Sequence, residues 1–137
     1  SLAVGVTENP GVSRMTIVVA GDEHIVEQVE KQLNKLIPVI KVRVLEPGRF
    51  ISRELSLIKV SCRADRRAEI IQVCTLMGAP VVDATPSSLT VQFAGDEEKT
   101  ATLISMLRPY GVREIVRAGA LAIEKGAGAT RKQNGEA

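Results

Sequence analysis

Leu2, Val4 and Val6 alternate with smaller or polar residues, and Met15, Ile17 and Val19 do the same beyond Glu8-Asn9-Pro10-Gly11. Period-two alternation on both sides of a turn-forming tetrapeptide predicts a β-hairpin. After Gly21 the period changes. Ile25, Val26, Val29, Leu33, Leu36 and Ile37 recur at helical spacing, with Asp22 placed to cap the N-terminus and Pro38 to stop the helix. One face of that helix is expected to be buried. Ile40, Val42 and Val44 then alternate again before Glu46-Pro47-Gly48, so the unit reads β-β-α-β.

A second unit starts at Ser56. Ile58, Val60 and Cys62 share one strand face, and a helix from about Asp65 carries Ile70, Val73, Cys74 and Met77 on its apolar stripe and ends at Gly78. Val81 and Val82 open a strand, Pro86-Ser87-Ser88 turns the chain, and Leu89, Val91 and Phe93 alternate along the next strand. Asp96 caps a helix bearing Leu103, Ile104 and Leu107, which Pro109 and Gly111 halt, and Val112 to Arg117 reads as the last strand. The order β-α-β-β-α-β is the split βαβ, ferredoxin-like plan.

The two units are copies of one another. Ala20-Gly21-Asp22-Glu23 repeats as Ala94-Gly95-Asp96-Glu97, an offset of 74 residues, each time between a strand and a helix. Carried forward, the offset lays Val42-Arg43 on Val116-Arg117; carried backward, it leaves the 24 residues from Leu57 to Pro80 without a counterpart in the first copy. The expected fold class is therefore α+β, two tandem ferredoxin-like modules of which the first lacks its opening strand and helix. The expected division is a partial first module over residues 1–47, a linker over 48–55, a complete second module over 56–125 and a flexible tail over 126–137. A sheet without its opening strand shows an open backbone edge and a bare apolar patch. The expectation is thus a chain that begins inside a domain, through truncation, processing or disorder.

Composition narrows the function. With 137 residues, 45% of them hydrophobic, and a formal charge of only +2, the chain has apolar residues for a core but no bulk charge that marks a nucleic-acid or membrane-surface protein. Cys62 and Cys74 are the only cysteines, too few for a disulfide framework or a zinc site, which points to a reducing, cytoplasmic location. No apolar run reaches the roughly 18 residues of a membrane span, and no signal peptide is evident.

Candidate chemistry is sparse. His24, the single histidine, sits among charged neighbours in the first turn of a helix, where a surface residue is the expected reading rather than a general base. Asp22, Glu23, Asp96, Glu97 and Glu98 stand at two helix starts and read as caps that complement the helix dipole. Both cysteines fall on apolar faces as core thiols. The run Gly126-Ala127-Gly128-Ala129-Thr130-Arg131-Lys132 fits neither phosphate-loop nor dinucleotide spacing. Arg63, Arg66 and Arg67 cluster at the turn into the second unit's first helix. Such a cluster holds a phosphate or an acidic partner, or, more often, is a solvated face. RNA-recognition domains share the ferredoxin-like plan but stack bases on exposed aromatics, and Phe50, Phe93 and Tyr110 are the whole aromatic complement here.

Several segments carry a family resemblance: Leu2-Ala3-Val4-Gly5, Ser13-Arg14-Met15-Thr16-Ile17, Glu30-Lys31-Gln32-Leu33-Asn34-Lys35-Leu36, Arg53-Glu54-Leu55 and Leu57-Ile58-Lys59-Val60. In content and order they resemble the small subunit of acetohydroxyacid synthase (acetolactate synthase), from Ser1 to about Lys125. The resemblance implies an N-terminal ACT domain followed by a related ACT-like domain, in a subunit that is not itself an enzyme. Such a subunit activates the thiamine-diphosphate-dependent catalytic subunit and confers feedback inhibition by valine in branched-chain amino-acid biosynthesis. Thiamine diphosphate, magnesium and FAD would belong to the catalytic partner, with no cofactor in this chain. A homodimer is expected, with no nucleic-acid or membrane partner.

In that family valine binds between paired ACT domains, at the turn after the first strand and just before the second. Only Ser1 and Leu2 of this chain can stand at the fringe of that site. The second module's equivalent turn, Ser61 to Arg67, lacks glycine and is rich in arginine, which disfavours close approach of a ligand to its backbone. The alternatives are an ACT-type amino-acid sensor of another enzyme or regulator and a small ferredoxin-like enzyme. No helix-turn-helix segment supports a transcription regulator, and no nucleophile, base and oxyanion set supports the enzyme.

Overall fold

The computed structural model describes residues 1–130. Strand β1 (Leu2–Val6) and strand β2 (Ser13–Ile17) form an antiparallel hairpin in which Leu2 faces Ile17 and Val4 faces Met15. Thr7 braces the turn: its Oγ1 accepts from the Asn9 N–H at 3.1 Å and lies 2.9 Å from the Val12 carbonyl, to which it donates. Helix α1 (Glu23–Asn34) begins where expected, with the Asp22 carboxylate accepting from the Ile25 N–H at 3.1 Å. Gly21 has φ +152°, and a Cβ there would collide with the Ile25 side chain, so this tight entry requires glycine.

The second module holds the core. Strand β3 (Phe50–Ser61) is central and antiparallel to strand β5 (Ser88–Gly95) and strand β6 (Val112–Arg117), and strand β4 (Val81–Thr85) flanks β5, giving the order β4-β5-β3-β6. Helix α2 (Arg67–Met77) ends at Gly78, which takes the left-handed φ of 65° and donates its N–H to Thr75. Helix α3 (Glu97–Leu107) is capped by Asp96, whose carboxylate accepts from the Lys99 N–H at 2.8 Å. A short 3₁₀ turn (Arg108–Tyr110) contains Pro109. Ile58, Val60, Ile70, Leu89, Val91, Phe93, Leu103 and Leu107 interlock between sheet and helices, with Cys62 and Cys74 buried among them. Full burial of one large aliphatic side chain contributes about 1.5–3 kcal/mol, so this sandwich has a sufficient apolar core of its own.

The first module differs in packing. No residue of α1 is buried, contrary to the expected buried face. Val29 and Leu33 occupy the places that Leu103 and Leu107 hold under the offset of 74; the latter pair is fully buried and the former only partly. In the second module α2 and β3 pack beside α3, and the described residues supply no counterpart of either to α1. The paired apolar residues of the hairpin, Leu2 with Ile17 and Val4 with Met15, are all exposed. The chain thus has the α+β class and ferredoxin-like units expected, with an incompletely covered first unit.

Four boundaries depart from the sequence reading. The segment 48–55, expected as a linker, is strand from Phe50 onward, because β3 runs unbroken into the second module. Residues 39–46 form no strand although Ile40, Val42 and Val44 alternate. Their counterpart β6 is paired by β3, and no described residue plays that part for the first module. Helix α1 ends at Asn34, short of Pro38, with Lys35 as its C-cap; Leu36 and Ile37 lie beyond it, Ile37 being 99% exposed. Beyond Arg117 comes a further strand, β7 (Leu121–Glu124), which pairs with the Phe50–Arg53 part of β3. Of the expected tail, 131–137 lies outside the described residues.

Candidate effector site and module joint

Ser1 and Leu2, the expected fringe of an effector site, lie at the open end of the hairpin. The Val18 N–H donates to the Ser1 carbonyl at 3.0 Å, and the Ser1 ammonium donates back to the Val18 carbonyl at 3.4 Å. The Leu2 side chain is 58% exposed, on the same face as Ile17. The backbone of Leu2 meets the second module: a Cβ on Gly119 would lie 2.7 Å from the Leu2 carbonyl oxygen. The structure therefore brings Ser1 and Leu2 together with Val18 and the Ala118–Ala120 link between β6 and β7.

That contact belongs to a joint. Arg14 of β2 donates from Nη2 to the Ala122 carbonyl at 2.9 Å. Arg43 is ion-paired with Glu124, and Lys125 donates from Nζ to the Gly48 carbonyl at 3.2 Å. Within the second module, Glu54 on β3 is ion-paired with Arg117 on β6. Sequence reading missed Arg14, Arg43, Gly119, Ala122 and Glu124. The alternation of Leu121 and Ile123 after Gly119 was the available signal for β7, and four residues make it a weak one.

In the second module, the turn equivalent to the expected effector turn is braced by the protein's own hydrogen bonds and ion pairs. The Cys62 N–H donates to Ser87 at 2.9 Å, and the Arg66 N–H to Arg63 at 3.0 Å. Arg63 pairs with Asp65, and Arg66 pairs with Glu69 at 3.0 Å. Glu69 also accepts from the Tyr110 hydroxyl at 3.1 Å. Its carboxylate, by hydrogen bond and charge, holds the Arg66 guanidinium above its ordinary range. Desolvation, then Glu69, pushes the Tyr110 phenol up.

The remaining candidates are structural in their contacts. His24 is exposed, its Nε2 lying 3.2 Å from Gln28. Asp22 and Asp96 are helix caps. No set of three or more His, Cys, Asp or Glu among the described residues is gathered as metal ligands would be, and no described helix is long and apolar enough to cross a membrane. One concavity of about 360 Å³, bounded by Ile71, Cys74, Gly78 and Val81, lies between α2 and the start of β4. Another, of about 230 Å³, lies on the uncovered sheet face around Leu57, Lys59 and Glu114.

Comparison with known proteins adds independent findings. The family described as "Small subunit of acetolactate synthase" matches residues 53–126, and "AHAS small subunit-like ACT domain" matches residues 1–41. A "Probable acetolactate synthase small subunit" of Methanothermobacter thermautotrophicus is 44% identical over 127 residues, covering 92% of this chain and 76% of its own length. The "Acetolactate synthase small subunit" of Mycolicibacterium smegmatis is 48% identical over 126 residues, covering 92% of this chain and 74% of its own. The crystal structure of the acetolactate synthase small subunit from Thermotoga maritima superposes with a TM-score of 0.86 at 34% identity, over 93% of this chain and 80% of that one.

Proposed function

Because the chain belongs to the acetolactate synthase small-subunit family, we propose that it is a regulatory subunit that activates a thiamine-diphosphate-dependent catalytic subunit and makes it responsive to valine. The observation that carries this reading is the family's two-part match, over residues 1–41 and 53–126, the second of which coincides with a ferredoxin-like unit that holds its own apolar core. Pairing of two first modules in a homodimer is the proposed arrangement. Valine would bind across the pair, with Ser1 and Leu2 at its edge. The catalytic partner would hold thiamine diphosphate, magnesium and the flavin; this chain would do no chemistry.

The joint supplies a route for regulation. Valine shifts activity only if it binds one subunit arrangement better than another. A change at Leu2 would be felt at Gly119, and a change in β2 would be felt at Ala122 through Arg14, so the two modules are mechanically linked. The test is the acetolactate-forming rate of the cognate catalytic subunit alone, with this chain, and with this chain plus valine. Activation that valine reverses supports the reading. An unchanged rate in all three mixtures would exclude it.

A further inference from the structure

Arg67, at the first turn of α2, donates from Nη2 to the Thr85 carbonyl at 2.6 Å. Arg113, on β6, donates from Nε to Ser61 Oγ at 2.8 Å and from Nη2 to the Ser87 carbonyl at 3.3 Å. The two guanidinium groups thus reach one β4–β5 turn from elements on different sides of the module. Arg63 and Arg66 stand beside them, and each of those has a carboxylate partner, Asp65 and Glu69 respectively. Arg67 and Arg113 have none among the described residues: both charges are held by neutral oxygens. Fixing a long side chain on neutral oxygens restricts its freedom without neutralising it, and a guanidinium with five donors keeps some of them unused.

We propose that this end of the second module, centred on Arg67 and Arg113, docks a carboxylate-bearing segment of the catalytic subunit; the inference rests on the regulatory-subunit reading above. Three observations select that occupant. Planar guanidinium forks match carboxylates bidentately, and forks already held in place have less order to gain on binding. The β4–β5 turn is closed by its own hydrogen bonds, the Ser87 and Ser88 N–H groups donating to Thr85 Oγ1 and the Cys62 N–H to the Ser87 carbonyl, so these amides are taken and cannot cradle a small anion. The acids Asp65 and Glu69 interrupt the positive charge, and Phe93 is buried, an arrangement unsuited to a continuous phosphate backbone or to stacked bases. A protein surface with discrete carboxylates fits all three.

The experiment is titration of the full chain into its catalytic subunit, by calorimetry at low and at physiological salt. It uses wild type, R67Q/R113Q, R67K/R113K and a control, K31Q/R49Q, that removes the same charge elsewhere. R67Q/R113Q is expected to weaken binding about tenfold and to flatten its salt dependence, while the control binds as wild type does. R67K/R113K, which keeps the charge but not the fork, should fall between them; it guards against loss of the turn's bracing in the glutamine variant. Wild-type affinity and salt dependence in both arginine variants would overturn the proposal. Saturable binding of inorganic pyrophosphate that only the arginine variants lose, with the catalytic subunit bound as before, would overturn it in favour of a small-anion site. No binding by wild type would sink the regulatory-subunit reading together with it.

Discussion

Arg14 of the first module reaches the backbone carbonyl of Ala122 in the second, at 2.9 Å, in a partly buried setting 108 residues away in sequence. Ala122 lies on β7, whose partner is the leading half of β3, so this one hydrogen bond ties the hairpin to the central strand of the self-sufficient module. A charged donor on a carbonyl is worth about 1.5–3 kcal/mol when it is well shielded, and less when partly exposed. Arg14→Ala is expected to accelerate amide exchange in Leu121–Glu124 by a factor of at least about five, corresponding to roughly 1 kcal/mol. Ile58 and Val91 should exchange as before, because the core does not include the joint. Unchanged exchange along β7 would show that Arg14 does not hold it.

Gly119→Ala places a methyl group against the Leu2 carbonyl, 2.7 Å from its oxygen and 2.9 Å from its carbon. Both partners are backbone, so one strand must move, at a cost of about 1–3 kcal/mol. The expected result is a first module that melts earlier and a weakened valine response, because Leu2 stands at the proposed edge of the effector site. Binding of the catalytic subunit should change less. A variant with the wild-type melting profile and inhibition curve would refute the contact.

Ser56 is fully buried on β3, and its hydroxyl finds no hydrogen-bond partner among the described residues. A buried hydroxyl without a partner bears its desolvation cost uncompensated, so Ser56→Ala is expected to be neutral or to stabilise by up to about 1 kcal/mol in urea denaturation. Ile58→Ala, two residues away and pointing into the same core, should cost about 2–5 kcal/mol. A loss above about 1 kcal/mol for Ser56→Ala would mean that the hydroxyl is satisfied in solution.

Burial pushes the Cys74 thiol up from its ordinary value. In the unfolded chain this thiol ionises near its ordinary value of about 8.5, while in the folded protein it keeps its proton to higher pH. The unfolded state therefore binds fewer protons in that window. The contribution is present in full below the unfolded value and is lost as pH rises through the folded one. Stability should decline through the alkaline range, and Cys74→Ala should flatten that decline while lowering stability overall. Melts across the alkaline range check this; equal slopes for both proteins would contradict it. Thiol reagents should likewise react slowly with both cysteines until the chain unfolds.

Much of the second module was legible from residues alone. Asp96 and Gly78 mark its helix boundaries by local chemistry, a carboxylate for free amides and a left-handed turn that suits glycine. Ile58, Val60, Leu89, Val91 and Phe93 show the alternation of strands covered on one face. The expectation of an effector fringe at Ser1 and Leu2 rested only on resemblance, since nothing in the chemistry of the two residues marks them. The arginine cluster was visible as Arg63, Arg66 and Arg67. Arg113, 46 residues beyond Arg67, joined it only because β6 and the β4–β5 turn come together.

Local pattern determined, from sequence alone, the helix starts at Asp22 and Asp96, the repeat with its offset of 74 and the ferredoxin-like order. Each depends on residues close in the chain or on direct comparison of segments. Tertiary structure decided which copies of that pattern become buried or paired. Val29 and Leu33 carry the same stripe as Leu103 and Leu107, yet only the latter are sealed, since burial requires a second surface. Ile40, Val42 and Val44 alternate as well as Leu121 and Ile123 do, yet only the latter belong to a strand, since a strand exists only where a neighbour takes its hydrogen bonds.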